Sequence, residues 1–403
     1  MVWNQRETEV TRPRVWLVMG TRPEAIKLAP VAEAIAAAGR MEPYLVATGQ
    51  HPTMVDQALE TFGLRADVTL PLHRRDGGQP ELLGQMVTGL DALADREPPA
   101  AVVVQGDTTT TLAGTLAAFW RRIPVVHLEA GLRSFDLAAP FPEELNRRLV
   151  TQAASLHLPP TSDAAGNLLR EQVPAERILV TGNTSVDAIR AIADRGAVDF
   201  QDERVAAAVE AAARGERLVL VTAHRRESWG EPLRHVLRAV TELVARHPDV
   251  SVVLPAHPNP AVRELVDEEL AGLSRVVVTE PLRYEELAGV LAAATLVLSD
   301  SGGIQEEAPT FGVPVLVLRE VTERMEAVHA GCARLVGTDR ELIVRTASEL
   351  LTDPRARAAM MGEGNPFGDG RAASRTERAL ARLLGLSDEP VEEFAAVSGG
   401  VLV

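Results

Sequence analysis

The chain has 403 residues, room for two or three domains at roughly 150 residues each. Hydrophobic residues make up 46% and charged residues 24%, ordinary globular usage that excludes a disordered, collagenous or disulfide-dense chain. The formal charge of −15, from 41 basic and 56 acidic side chains, argues against nucleic acid or an acidic membrane as a general partner, so any polyanion must be met by local positive groups.

Cys332 is the only cysteine, which excludes an intrachain disulfide and any CxxC-type site. The opening MVWNQRETEV is polar and acidic, unlike a signal peptide, and no 18-residue uncharged apolar stretch occurs; the expectation is a soluble cytoplasmic protein. In chain order, Val15–Met19 reads as a buried strand, 24–38 as a helix and Pro43–Thr48 as the next strand. Strand Ala101–Val104, a helix around 111–121 and strand Val125–Leu128 follow. Later strands are expected at Ile178–Thr181, Leu218–Thr222, Ser251–Ala256, Arg275–Thr279, Leu296–Ser299 and Val313–Leu318, with Ala/Leu/Glu/Arg-rich helices between most of them. Continuous apolar runs of four to six residues separated by helices predict parallel sheets covered on both faces, an α/β doubly wound architecture in two copies. The boundary is placed near Gly182, giving domains 1–182 and 183–370; 365–370 reads as a loop, 372–384 as a helix, and 387–403 as a frayed tail.

In open parallel sheets ligands sit beyond the carboxyl ends of the strands, and the unusual residues cluster there. Gly20-Thr21-Arg22-Pro23-Glu24-Ala25-Ile26-Lys27 follows the first strand, where glycine permits a tight turn, Pro23 suits a helix start, and Arg22 and Lys27 add charge for an anion. An ordinary strand-to-helix turn with a surface Arg and Lys fits the same spacing. Gly106-Asp107-Thr108-Thr109-Thr110-Thr111 follows another strand, where Asp107 or Thr108 can equally cap the next helix. Glu129 lies at a strand end before a glycine turn, and Glu143 and Arg147 stand four apart, the spacing of a surface salt bridge. Three strand-end segments thus offer carboxylates, the groups that proton transfer at carbon requires.

In the second half, His224-Arg225-Arg226-Glu227-Ser228 puts an imidazole and two arginines at a strand end, an anion site or helix-surface charge. Ser299-Asp300-Ser301-Gly302-Gly303-Ile304-Gln305-Glu306-Glu307 strips side chains away where a helix begins, so diphosphate oxygens can lie on bare N–H groups. Glu307, one turn in, is placed to accept both hydroxyls of a ribose, and Arg324 to neutralise a diphosphate. No HxxxH or cysteine cluster suggests zinc, and nothing demands a metal.

With these segments in hand, the chain resembles the non-hydrolysing UDP-N-acetylglucosamine 2-epimerases from about residue 15 to 384. GTRPEAIKLAP, TGQH, GDTTTTLA, EAGLR, PEELNR, TGNTSVDA, HRRES, DSGGIQEEAP, TER and NPFGDG occur in the family's order. The resemblance implies a glycosyltransferase-B-like fold of two Rossmann-like domains facing a cleft, with the C-terminal helix (371–386) crossing back to the first. It implies interconversion of UDP-N-acetylglucosamine and UDP-N-acetylmannosamine through 2-acetamidoglucal and UDP, with no cofactor, in a homodimer; the alternative is a hydrolysing epimerase that releases N-acetylmannosamine. By the same resemblance Asp107, Glu129 and Glu143 fall on the acid/base carboxylates and His224 beside the leaving diphosphate. Arg22, Lys27 and Arg147 fall on substrate-holding positions, and Ser301, Gly302, Gly303, Glu307 and Arg324 on the UDP site. Gln105 replaces a common His, and Leu287 stands where an aromatic often lies near uracil. Gln50, Gln79, Arg225 and His257 fit the site where many bacterial members bind an activating UDP-N-acetylglucosamine. Thr53 and Gly78 replace that site's usual Gln and Arg, which predicts weak or absent activation.

Overall fold

The computed structural model describes residues 12–73, 78–223, 225, 228–362 and 364–395. The chain divides into two compact units. The first takes the described residues up to Pro160, with Ala164–Thr181 and Ala373–Glu393; the second takes Thr161–Asp163, the described residues of Gly182–Ala372, and 394–395.

In the first unit, β1 (Arg14–Met19), β2 (Glu42–Ala47), β3 (Val68–Thr69), β4 (Ala101–Gln105), β5 (Val125–Leu128) and β6 (Leu156–Leu158) form one parallel sheet in the order β3-β2-β1-β4-β5-β6. In the second, β7 (Arg217–Thr222), β8 (Val250–Pro255), β9 (Val276–Thr279), β10 (Leu296–Ser299), β11 (Val315–Val317) and β12 (Ala333–Leu335) run β12-β11-β10-β7-β8-β9. Numbered within each unit, both orders are 3-2-1-4-5-6, the Rossmann arrangement. The order reverses between β1 and β4 in one unit and between β7 and β10 in the other, and the fold class is the two-unit α/β one that the alternating pattern predicts.

The central strands are apolar on both faces because helices cover both. Val15, Leu17, Val18 and Met19 in β1 and Leu218, Leu220 and Val221 in β7 are fully buried. Each such side chain contributes about 1.5–3 kcal/mol relative to exposure. Trp16, Val18, Met86, Leu90, Val102 and Val104 belong to one continuous core in the first unit, and Val219, Leu237, Val240, Val252, Leu298 and Ile343 to one in the second.

Three strands were not expected: β3, β6 and β12 have two or three residues each and lie at sheet edges, too short to carry a periodic signal. Conversely, the strand expected at Ile178–Thr181 is only a single bridge from Ile178 to His157 on edge strand β6. Backbone bonds from Leu179 N–H to the His157 carbonyl at 3.0 Å and from Thr181 N–H to the Pro159 carbonyl at 3.1 Å carry the chain alongside β6 up to the turn at Gly182, whose φ is +86°. The helix Ala372–Leu383 is tied to the first unit by Glu377, which accepts from Arg40 Nε at 3.1 Å, and by Arg375, which donates to the Thr181 carbonyl at 3.2 Å. The stretch expected to fray is ordered through its first residues: the Glu392 carbonyl accepts from Arg375 at 3.0 Å and Phe394 is buried. Among the described residues no helix is long and apolar enough to cross a membrane.

Candidate active site

At the β1/β4 switch point of the first unit, two strand-to-helix loops lie side by side. Thr48 and Thr110 hydroxyls share a 2.9 Å hydrogen bond directly over Gly20. A Cβ on Gly20 would collide with Thr110 Oγ1 and lie 2.5 Å from Thr48 Oγ1. Close approach of the neighbouring loop, rather than a tight turn, is therefore what demands glycine here. Thr108 caps the helix Thr109–Trp120 by accepting from Thr111 N–H at 3.1 Å. Asp107, relieved of capping, is held instead by Arg147, whose Nε and Nη2 lie 2.9 and 2.8 Å from its Oδ2. Asn146 donates to the Asp107 carbonyl at 2.8 Å.

Glu129 follows β5 with φ +61°, a left-handed backbone that costs a non-glycine residue on the order of 1–3 kcal/mol. Its surroundings hold it there. Its N–H donates to the Leu158 carbonyl at 3.0 Å, Lys27 Nζ lies 2.6 Å from Oε1, and Gln105 Nε2 donates to Oε2. A Cβ on Gly106 would stand 3.7 Å from Glu129 Oε2, so the Glu129 carboxylate lies against the loop that carries Asp107. His127 is buried, and burial lowers its pKa to about 4, so the ring is neutral at pH 7. Its Nε2 lies 2.7 Å from the Gly106 carbonyl, which can only accept, so Nε2 carries the proton.

Glu143 opens the helix Glu143–Ala153 and is half-buried. The sequence spacing pairs it with Arg147, but the guanidinium turns to Asp107 and, at 3.2 Å, to Glu144. Glu144 is fully buried; burial alone would raise its pKa, but the Ser134 N–H, Arg148 and Arg147 hold it below the ordinary value. Arg22 begins the helix Arg22–Ala38 and is half-buried. Gln50 and Gln79 accept from Thr110 and Thr109 at 3.0 and 2.7 Å, at the start of the helix behind Asp107.

The second unit builds its β7/β10 switch point from different residues. Ser301 precedes the short helix Gly302–Glu307. A Cβ on Gly302 would meet Arg324 Cζ at 2.9 Å, whereas one on Gly303 would meet nothing closer than Ser301 Oγ at 3.9 Å. The first glycine admits the guanidinium; the second leaves its surroundings open. Arg324 is anchored on buried Glu306, with Nε and Nη2 each 3.0 Å from Oε1. Burial disfavours the charged form of Glu323 beside it, yet Arg324, Arg319 and Arg225 keep that carboxyl below its usual pKa. Glu307 is buried and accepts from the Tyr284 hydroxyl at 3.1 Å. Arg225 donates its N–H to Asp300 Oδ2 at 2.9 Å and its Nε to the Asp300 carbonyl at 3.0 Å. His257 stacks obliquely on Trp229 at 5.3 Å and accepts from Asn259 N–H at 3.1 Å. His224 lies outside the described residues.

The family model for UDP-N-acetylglucosamine 2-epimerase matches residues 33–381. The chain belongs to the UDP-N-acetylglucosamine 2-epimerase family. Among relatives of that name, the Escherichia coli K12 protein is 44% identical over 368 residues, covering 91% of this chain and 98% of the relative. The Bacillus subtilis protein is 41% identical over 381 residues, covering 94% and 98%. Of solved structures, an epimerase from Neisseria meningitidis bound to UDP-N-acetylglucosamine superposes with a TM-score of 0.84 at 38% identity, covering 92% of this chain and 100% of that one. An S. aureus protein in a co-structure with UDP gives 0.84 at 39%, covering 95% and 100%.

Against this family background, sequence reasoning overlooked Glu24, Gln105 as a partner of Glu129, His127, Glu144, Glu306 and Tyr284. Glu24 had a legible signal: Thr21-x-x-Glu24 before an apolar run is a capping-box pattern. Glu306 had none, since its neighbour Glu307 carries the same side chain and only packing tells them apart.

Proposed function

We propose that the protein is a non-hydrolysing UDP-N-acetylglucosamine 2-epimerase that inverts carbon 2 by elimination and re-addition of UDP. The carbon 2 proton is not acidic in the substrate, because carbon 1 is locked as a glycosyl phosphate and no free carbonyl adjoins it. A carboxylate takes that proton as the carbon 1–oxygen bond breaks; the electron pair of the C–H bond becomes the carbon 1–carbon 2 double bond, and UDP departs with the electrons of the broken bond. A proton delivered to the opposite face of carbon 2, with return of a UDP oxygen to carbon 1, gives UDP-N-acetylmannosamine. Two properly placed acid/base groups and stabilisation of the leaving diphosphate are what this route needs.

The observation that carries the reading is the Asp107–Glu129 cluster: two carboxylates on neighbouring strand-end loops, each with its own cation, Arg147 and Lys27. In this reading Asp107, Glu129 and Glu143 form the acid/base set, with His224 at the leaving group. Arg22 joins Lys27 and Arg147 in holding the sugar nucleotide. Ser301, Gly302, Gly303 and Arg324 take the diphosphate, and Glu307, oriented by Tyr284, takes the ribose. Incubation with UDP-N-acetylglucosamine in heavy water, followed by proton NMR, is the test. Deuterium at carbon 2 of both UDP-sugars is expected; accumulation of free N-acetylmannosamine and UDP would instead identify a hydrolase, and absence of carbon 2 exchange would end the proposal.

A further inference from the structure

Glu24 is completely buried, yet nothing in the chemistry above uses it. Its Oε2 accepts from Gly20 N–H at 2.9 Å, Thr21 N–H at 2.8 Å and the Thr21 hydroxyl at 2.9 Å. Its Oε1 accepts from the Thr108 hydroxyl at 2.5 Å, with the Thr111 hydroxyl at 3.2 Å. One carboxylate therefore clasps both loops of the β1/β4 switch point, 84 residues apart in sequence.

The loop on the far side of this clasp is pinned at every residue. His127 holds the Gly106 carbonyl, Asn146 the Asp107 carbonyl, Arg147 the Asp107 carboxylate and Glu24 the Thr108 hydroxyl. The first three anchors come from one side of the sheet order, β5 and the helix Glu143–Ala153; Glu24, in the helix after β1, ties the loop to the other side.

From this we infer that Glu24 is a positioning residue, which sets the Gly106–Thr108 loop against the Gly20–Thr21 loop and so fixes where the Asp107 carboxylate stands. An amide in its place can keep its oxygen on the Gly20 and Thr21 N–H groups but then turns its NH2 toward Thr108, whose hydroxyl must switch from donor to acceptor, so Glu24→Gln weakens the link to that loop while keeping the volume. A burial-only role would lower stability and leave turnover per folded molecule intact. A positioning role lowers turnover, because misplacement by about 1 Å can cost on the order of 100-fold in rate.

The inference rests on the proposed function for its kinetic readout, and amide hydrogen exchange supplies one that does not. Wild type, Glu24→Gln, Thr108→Val and the double variant are compared for exchange in 18–24 and 104–112, for thermal midpoint, and for kcat and KM with UDP-N-acetylglucosamine. Glu24→Gln should speed exchange in 104–112 while β5 and the second unit stay protected. It should cut kcat roughly 10- to 100-fold, with KM within about threefold of wild type. Thr108→Val, which removes the helix cap as well as the link, should move both readouts the same way and at least as far, and the double variant should be no worse than Thr108→Val, since Glu24→Gln then cuts a link already lost. If Glu24→Gln does not fold, Thr108→Val reports that link from its other end. Unchanged exchange in 104–112, or a lowered thermal midpoint with unchanged kcat, overturns the inference. Inactivity of the wild type would overturn the proposed function instead, leaving exchange to decide this one.

Discussion

The two switch points have the same strand order and opposite chemistry. In the first unit the segments after β1, β4 and β5 carry acids, Glu24, Asp107 and Glu129, each carboxylate matched to donors or a cation. In the second the β7 and β10 loops converge on glycines and arginine, with the acids Glu306 and Asp300 withdrawn to hold Arg324 and Arg225. Topology thus chooses where a Rossmann unit puts its ligand, and the residues at that place choose what is done to it. In the proposed function one unit moves protons and the other neutralises a polyanion, although the whole chain is acidic.

Substitutions that separate turnover from nucleotide affinity probe that contrast most directly. The largest effect is expected from Asp107→Asn or Glu129→Gln, which should lower turnover by about 100-fold or more and leave UDP affinity, read by calorimetry, unchanged. Unchanged turnover would remove that residue from the acid/base set; loss of UDP binding would erase the division of labour. Next, Gly302→Ala should weaken UDP binding about 10-fold, a loss of about 1.4 kcal/mol, because its Cβ must displace a guanidinium that Glu306 holds in place. Gly303→Ala is the control, and equal losses from both would show that Arg324 is not what the first glycine serves.

A third expectation concerns acid stability and distinguishes the units by their buried histidines. Burial lowers the pKa of His127 to about 4 and that of His157 to about 3, from 6.5. The unfolded chain then binds protons first as pH falls. The stability these neutral rings contribute is complete above pH 6.5 and drains away down to about pH 4 for His127, by as much as ~3 kcal/mol, and down to about pH 3 for His157. Urea unfolding of the first unit, followed by exchange in β5 and β6, should show this slope, and His157→Gln should flatten it. A slope that is the same in the variant would locate the acid sensitivity elsewhere. The smallest effect is expected at Gln50, Gln79, Arg225 and His257, the positions that fit an activator site by resemblance. Thr53 and Gly78 supply neither of the side chains usual there, so UDP-N-acetylmannosamine alone should be turned over without a lag, and added UDP-N-acetylglucosamine should change the initial rate by no more than about twofold. A reaction silent until UDP-N-acetylglucosamine is added would show the site intact.

The division into two doubly wound sheets was readable because β1, β4, β7, β8 and β10 are continuous apolar runs whose hydrophobicity reflects burial on both faces. Edge strands β3, β6 and β12 were not, because a two- or three-residue segment has no period to read. The motif residues were visible for a related reason: side chains at strand ends, beside glycines, break the apolar pattern. Their partners were not visible. Helical spacing pairs Glu143 with Arg147, and the fold pairs Arg147 with Asp107, 40 residues away.

Sequence alone therefore determined the layer architecture, the positions of the strand ends and the identity of the groups gathered there, since all three depend on local pattern and residue type. Tertiary structure decided which acid meets which base, that Gly20 and Gly302 answer to close neighbours rather than to their own turns, and that Glu24 lies between two loops. Those are contacts between segments tens of residues apart, and their geometry exists only once the strands have been brought into register.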